Sequence, residues 1–166
     1  MSNLLTPPAR YIDPRGQRFG AGLSVAVLAI AFLAGAPWLA VLVGANLLIA
    51  GAFGARLFLL GRPWPAIRRT LSLAPAEPEH EYPPRFAQSL GGSVLAFAAI
   101  AFTLGLPAGG WLLVGAVAAL QTLLATTGYC LGCRLYFLRW WVPSLLARAF
   151  GHNDRLLKLP IGPLPR

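Results

Sequence analysis

Acidic residues are scarce in this 166-residue chain: five Asp and Glu stand against fourteen Lys and Arg, and charged residues make up only 11%. A soluble domain carries about a quarter charged residues, so the polar surface here is too small to cover a globule in water. Cysteine is nearly missing as well, and two residues exclude a disulfide scaffold. No Ser-His-Asp arrangement, phosphate-binding loop or intramembrane carboxylate pair occurs, which removes the common hydrolase, nucleotide and proton-relay signatures. What remains is 57% hydrophobic with positive mean hydropathy. The solvent that suits such a chain is a lipid bilayer.

The formal charge of +9 would point to nucleic acid in a soluble protein. Here the Lys and Arg lie outside the apolar runs or at their ends, as orienting charges of membrane proteins do, so no nucleic-acid partner is expected. Four runs stand out: Phe19 to Ala34, Trp38 to Leu60, Phe86 to Leu106, and Trp111 to about Tyr129. A hydrocarbon core about 30 Å thick needs about 20 helical residues. The first run is therefore short unless Arg18 and its neighbours snorkel, and the other three are long enough. Gly35-Ala36-Pro37 and the stretch from Gly105 to Gly110 are tight helix-breaking turns, followed by Trp38 and Trp111 at interface depth. Each pair of runs reads as a helical hairpin. Ala34-Gly35-Ala36 also fits a signal-peptide cleavage pattern, but Pro37 follows at once and the next span begins immediately, which favours an uncleaved first helix.

Orientation follows from the basic residues. They precede the first span (Arg10, Arg15, Arg18), occupy the end of the second span and the central loop (Arg56 to Arg85), and follow the fourth (Arg134 to Arg166); the hairpin turns carry none. The hairpins also look like copies. Pro14-Arg15 and Pro84-Arg85 correspond, as do Ala29-Ile30-Ala31-Phe32 and Ala99-Ile100-Ala101-Phe102, and Gly54-Ala55-Arg56-Leu57-Phe58 aligns with Gly132-Cys133-Arg134-Leu135-Tyr136. The expected architecture is an all-α membrane protein with four transmembrane helices as two parallel-repeat helical hairpins, N- and C-termini cytoplasmic, multi-pass in the cytoplasmic (inner) membrane. Within a single membrane domain, 1–166, this gives hairpin repeat one (14–60), a cytoplasmic linker (61–85), hairpin repeat two (86–139) and an interfacial or flexible tail (140–166). In the linker, Trp64, Ile67 and Leu71 suit a short interfacial helix; in the tail, Trp140 and Trp141 suit headgroup depth, with an amphipathic turn from Pro143 to Phe150 and a Pro-rich end.

Cys130-Leu131-Gly132-Cys133 carries the chemistry. The first hairpin has Ala52 and Ala55 at the corresponding places, so the pair is an addition to a helical template. The spacing suits a dithiol that cycles to a disulfide, a sulfur carrier with a resolving thiol, or half of a thiolate metal site. On a continuous helix, residues three apart have Cβ atoms about 5–6 Å apart, against about 3.8 Å in a disulfide. A break near Gly128 would relieve this and would set the pair at the start of a new helical segment. Arg134 favours the thiolate either way. The only imidazoles for a zinc site are His80 and His152, which read as solvated loop residues. Asn46 and Gln121 are the polar candidates within the spans; interhelical hydrogen bonding is their expected role, with a quinone or ion site as the sharper alternative. Gly44, Gly51 and Ala55, or Gly115 and Ala119, would let helices approach closely. No cofactor is implied.

Asp13-Pro14-Arg15-Gly16 with Arg18-Phe19, Pro84-Arg85-Phe86-Ala87-Gln88, and Tyr129-Cys130-Leu131-Gly132-Cys133 together resemble the bacterial membrane family termed domain of unknown function 4395, over nearly the whole chain. The resemblance implies an association with thioredoxin-like or rhodanese-like sulfurtransferases. It also implies an acidic residue after the second cysteine, where this chain has Arg134. The expected function is a membrane-anchored thiol protein using Cys130 and Cys133 for thiol–disulfide exchange or sulfur relay with a cytoplasmic thioredoxin-like or rhodanese-like partner. The alternatives are transport or soft-metal handling at the inner mouth of the bundle, or a structural subunit of a membrane complex. Transport through so narrow a bundle would call for a homo-oligomer. Enzymatic turnover and metal binding stay open.

Overall fold

Proline sits in the first turn of all four long helices, where its missing N–H costs nothing and its fixed φ suits the helix. The computed structural model describes residues 11–74 and 76–136. In it these helices are α1 (Pro14–Leu33), α2 (Pro37–Phe53), α4 (Tyr82–Thr103) and α5 (Pro107–Thr127). The connection between the hairpins holds a short α3 (Trp64–Thr70), and β1 (Tyr11–Ile12) pairs antiparallel with β2 (Glu79–His80). The expected features beyond residue 136, among them Trp140, Trp141, the turn from Pro143 to Phe150, His152 and the tail, lie outside the described residues.

Three helices, α1, α4 and α5, are long and apolar enough to cross a membrane, and α2 is shorter at 17 residues. This reverses the expectation that the first run is marginal and the second extends from Trp38 to Leu60. Asp13 lengthens α1 by capping it, its carboxylate accepting the Arg15 N–H at 2.9 Å. The same carboxylate accepts the Trp64 indole N–H at 3.0 Å and pairs with Arg68 at 3.2 Å, which fastens α3 to the start of α1. α2 stops at Gly54, whose φ of 126° disfavours any side chain. The chain then turns back through 3-10 turns at Ala55–Leu57 and Leu59–Gly61, and buries Phe58 against Gly20 of α1. Hydropathy runs on through this bend because the residues leaving the helix still enter the core. α4 begins at Tyr82, ahead of the expected Phe86, because Pro83 and Pro84 belong to its first turn.

The two hairpin turns carry the same hydrogen bonds. Ala34, Gly35 and Ala36 donate to Ile30, Phe32 and Ala31; Leu104, Gly105 and Leu106 donate to Ile100, Phe102 and Ala101. Gly35 and Gly105 take the left-handed conformation, with φ of 61° and 73°, that closes a helix. Between hairpins, α1 lies against α5 and α2 against α4, around a core of Leu28, Leu47, Leu95, Val114 and Val117. Large apolar side chains also point outward, with Leu33 83% and Leu112 71% exposed. That outer surface is suited to lipid.

Glycines set the α2–α4 distance. A Cβ on Gly92 would stand 2.9 Å from the Leu48 nitrogen and 3.0 Å from the Gly44 oxygen, and one on Gly51 would stand 2.8 Å from the Ser89 nitrogen. Gly44 and Gly51 thus serve the expected close approach. Gly115 does not, since nothing lies within 4 Å of its Cβ position, and Ala119 is exposed. The same substitution should therefore have opposite effects at two sites. Gly92→Ala should destabilise the bundle by about 1–3 kcal/mol through overpacking against backbone, and Gly115→Ala should stabilise it by up to about 1 kcal/mol through helix propensity. Denaturant unfolding in mixed micelles measures both signs.

Candidate functional site

A residue without a Cβ ends α5. Gly128 adopts φ 76° and ψ 1°, with its N–H on the Leu124 carbonyl, so the break considered at this position exists. The carbonyls of Ala125 and Thr126 are met by the Arg18 guanidinium of α1, at 3.3 Å and 2.8 Å. Helix resumes over residues 131–136, which leaves Cys130 as the residue just before the new turn. The Cys133 N–H donates to the Cys130 sulfur at 3.2 Å, and the Arg134 N–H donates to the Cys130 carbonyl at 3.1 Å. Cys130 thereby takes the place that Ser or Asp takes at a helix N-cap.

This geometry separates the two thiols, both free and half-buried. The hydrogen bond from the Cys133 side chain, helped by the backbone N–H groups of Cys133 and Gly132, brings Cys130 down to about 7 against burial and the Glu79 charge. The same thiol–thiol bond, together with burial, the Cys130 charge and Glu79, holds the proton on Cys133 and pushes it far up. One sulfur is a nucleophile near neutral pH and the other keeps its proton. The Arg134 guanidinium stands 5.4 Å from the centroid of the Tyr129 ring.

The segment is docked on α4. A Cβ on Gly132 would lie 2.6 Å from the Ala87 Cβ, so only glycine permits this approach, and the Phe86 and Tyr136 rings meet at 5.8 Å. The three sequence motifs therefore meet at one end of the bundle. Arg18 closes α5, Arg85 closes α2 through the Gly51 and Ala52 carbonyls, and Ala87 receives Gly132.

β2 adds a carboxylate that sequence reasoning missed. Alternation along the strand sets Glu79 toward the cysteines and His80 against the Tyr11 ring, with centroids 4.8 Å apart. Among the described residues no group of three or more His, Cys, Asp or Glu side chains is gathered to hold a metal ion. His152 lies outside those residues.

Beside the cysteines is a cavity of about 290 Å³, bounded by α1, α4 and α5 and lined by Cys130 and Cys133. Gln121 lines it, whereas Asn46 does not: its amide N–H donates to the Leu57 carbonyl at 3.3 Å, across the bend that follows its own helix. Gln88 and Gln17 also line the cavity, joined by a 3.0 Å hydrogen bond from Gln88 Nε2 to Gln17 Oε1. A glutamine near the start of the first and of the third apolar run was the available signal for this pair.

A family model described as Domain of unknown function (DUF4395) matches residues 12–140. No curated protein and no solved structure matches the chain.

Alkylation should show the asymmetry of the thiols. The Cys130 rate should rise with pH to a plateau with its midpoint near 7, while Cys133 stays unmodified through that range. Because the Glu79 charge opposes thiolate formation, Glu79→Gln should move the Cys130 midpoint to lower pH. Iodoacetamide labelling read by peptide mass spectrometry measures both.

Proposed function

The chain belongs to the DUF4395 family, and we propose that it is a membrane-anchored thiol protein whose Cys130 and Cys133 exchange electrons or sulfur with a cytoplasmic thioredoxin-like or rhodanese-like partner. The observation that carries this reading is the Cys133 N–H on the Cys130 sulfur, with one thiol lowered to about 7 and the other raised. A dithiol exchanger needs this division. The low-pKa sulfur attacks a partner's disulfide or accepts its sulfur, and the protonated neighbour resolves the intermediate. Arg134, expected from the sequence to favour the anion, has its guanidinium over the Tyr129 ring, and the lowered Cys130 rests on hydrogen bonds from Cys133 and Gly132.

In this reading all four long helices cross the cytoplasmic membrane, α2 at the lower limit of about 17 residues. Both termini, the central loop and the thiols face the cytoplasm, where Lys and Arg concentrate. The hairpins are parallel copies, which the matching turn hydrogen bonds support. So does the exchange of arginines: the first helix of each hairpin caps the second helix of the other.

The test compares two serine variants. The serine of Cys130→Ser retains an oxygen that can accept the Cys133 N–H, so its stability should stay within about 0.5 kcal/mol of the parent while its chemistry is lost. Cys133→Ser leaves the nucleophile without its resolving thiol and should accumulate a mixed disulfide with a cytoplasmic partner, detected on non-reducing gels and by mass spectrometry. One added sulfur on Cys130 instead would assign sulfur relay. Equal adduct yields from both variants, or none from Cys133→Ser, would remove the thiol reading.

A further inference from the structure

We propose that the cavity beside the cysteine pair binds a lipid-soluble quinone, which accepts the two electrons released when Cys130 and Cys133 form a disulfide. The proposal rests on the thiol reading above and names the oxidant that reading leaves unassigned.

The cavity lies among α1, α4 and α5, with walls from residues such as Leu47, Val94, Leu120 and Leu124, and it reaches both sulfurs. Its volume of about 290 Å³ is near the lower end of small-molecule sites, about 300–1,000 Å³, and suits one substituted ring. A water-soluble disulfide protein has no means of entering such a space. A molecule dissolved in the bilayer does.

One polar atom beside the cavity has no partner among the described residues. Gln88 is only 7% exposed and lines the cavity, yet its Oε1 accepts no hydrogen bond from any described residue. A buried acceptor is normally satisfied, and this oxygen is itself enclosed, so a ligand in the cavity meets it only when the Gln88 side chain turns toward the opening. A hydroquinone hydroxyl then supplies the donor. The Gln17–Gln88 bond also allows the opposite polarity: if both amides turn over, the unpaired atom of Gln88 becomes N–H, which suits a quinone carbonyl. An acyl chain would fill the walls but leave this amide unanswered.

The electrons balance. Two thiols and one quinone give one disulfide and one hydroquinone. The S–H bonds are lost, the S–S bond forms, both carbonyls become hydroxyls, and two electrons and two protons reach the ring. When Cys130 reacts as the thiolate, its proton has gone to solvent, so one proton comes from Cys133 and the other from water. Glu79, on the cavity wall, is the carboxylate placed to pass it. Of the two amides within the spans that suggested a quinone site, only Gln121 takes part in this cavity.

The test uses the full chain, reduced, in nanodiscs of synthetic phosphatidylcholine free of quinone, mixed anaerobically with a short-tailed benzoquinone. Quinone absorbance and the cysteine state by mass spectrometry should report one hydroquinone per disulfide, at a rate that saturates with quinone. Ala116→Phe, which projects a ring from a cavity-lining position on α5, should slow this at least about tenfold while leaving oxidation by a small aromatic disulfide within about twofold. Gln88→Leu should raise the half-saturating quinone concentration by about tenfold, the effect of one hydrogen bond, with no change in the pH midpoint for Cys130 alkylation. It also serves as the test if Ala116→Phe fails to fold. A rate linear in quinone and indifferent to both variants would mean reaction from outside the cavity and would overturn the proposal. So would a co-purified phospholipid in the cavity that quinone does not displace. If the small disulfide oxidises the pair but quinone does not, the quinone site falls and the thiol reading stands. If neither oxidises it, both fall.

Discussion

Lipid offers no hydrogen bonds, so the last carbonyls of a helix that ends at the membrane boundary need partners from the protein. Two arginines meet this need. Arg85 on α4 reaches the Gly51 and Ala52 carbonyls at the end of α2, and Arg18 on α1 reaches Ala125 and Thr126 at the end of α5. A cation is also favoured there by the helix dipole. Each bond crosses from one hairpin to the other, so the caps tie the two halves together as well as ending two helices. With its carbonyls answered, each helix can stop at a glycine of positive φ, Gly54 or Gly128, and the chain beyond is free to do something else.

What the chain does next differs between the halves. After Gly54 the new turn begins with the Ala55 N–H, which the buried carboxylate of Glu81 accepts at 2.7 Å. After Gly128 the new turn begins at residue 131, and its Cys133 N–H is accepted by the sulfur of Cys130. The second half thus assigns to a thiol the task that the first half assigns to a carboxylate. An N–H held toward an acceptor stabilises that acceptor as an anion, so the capping geometry adds to the lowering of Cys130 that the Cys133 thiol chiefly causes. The Leu-Gly between the cysteines completes the arrangement, because Gly132 has no Cβ to collide with Ala87.

Much of this was legible in the sequence, and the reasons are local. The hairpin turns followed from glycine and proline at the ends of apolar runs, and the interruption at Gly128 was one of two states that its position allowed. The end of α2 was not legible, because hydropathy records burial and the bend after Gly54 keeps Phe58 buried. Arg18 and Arg85 were visible as orienting charges, but their carbonyl partners lie on helices distant in the chain. The same distance hid Gln17 from Gln88, and Glu79 from the thiols.

The position of the thiols sets a limit on how they can work. A sulfur that accepts a backbone N–H as a thiolate is a weaker acceptor once it is bonded to another sulfur. Its reaction therefore loosens the first turn of the segment that carries both cysteines. That segment rests on α4 through the Gly132–Ala87 approach and the Phe86–Tyr136 rings, independently of the cap. Docking and capping are separate supports, so the pair can change its bonding while the segment keeps its place beside the cavity. Had α5 run on unbroken, its carbonyls would have been spent within the helix and no N–H would have turned toward Cys130. Under the proposed thiol exchange, the arginine that meets the carbonyls where α5 ends therefore supports the cysteines from a distance.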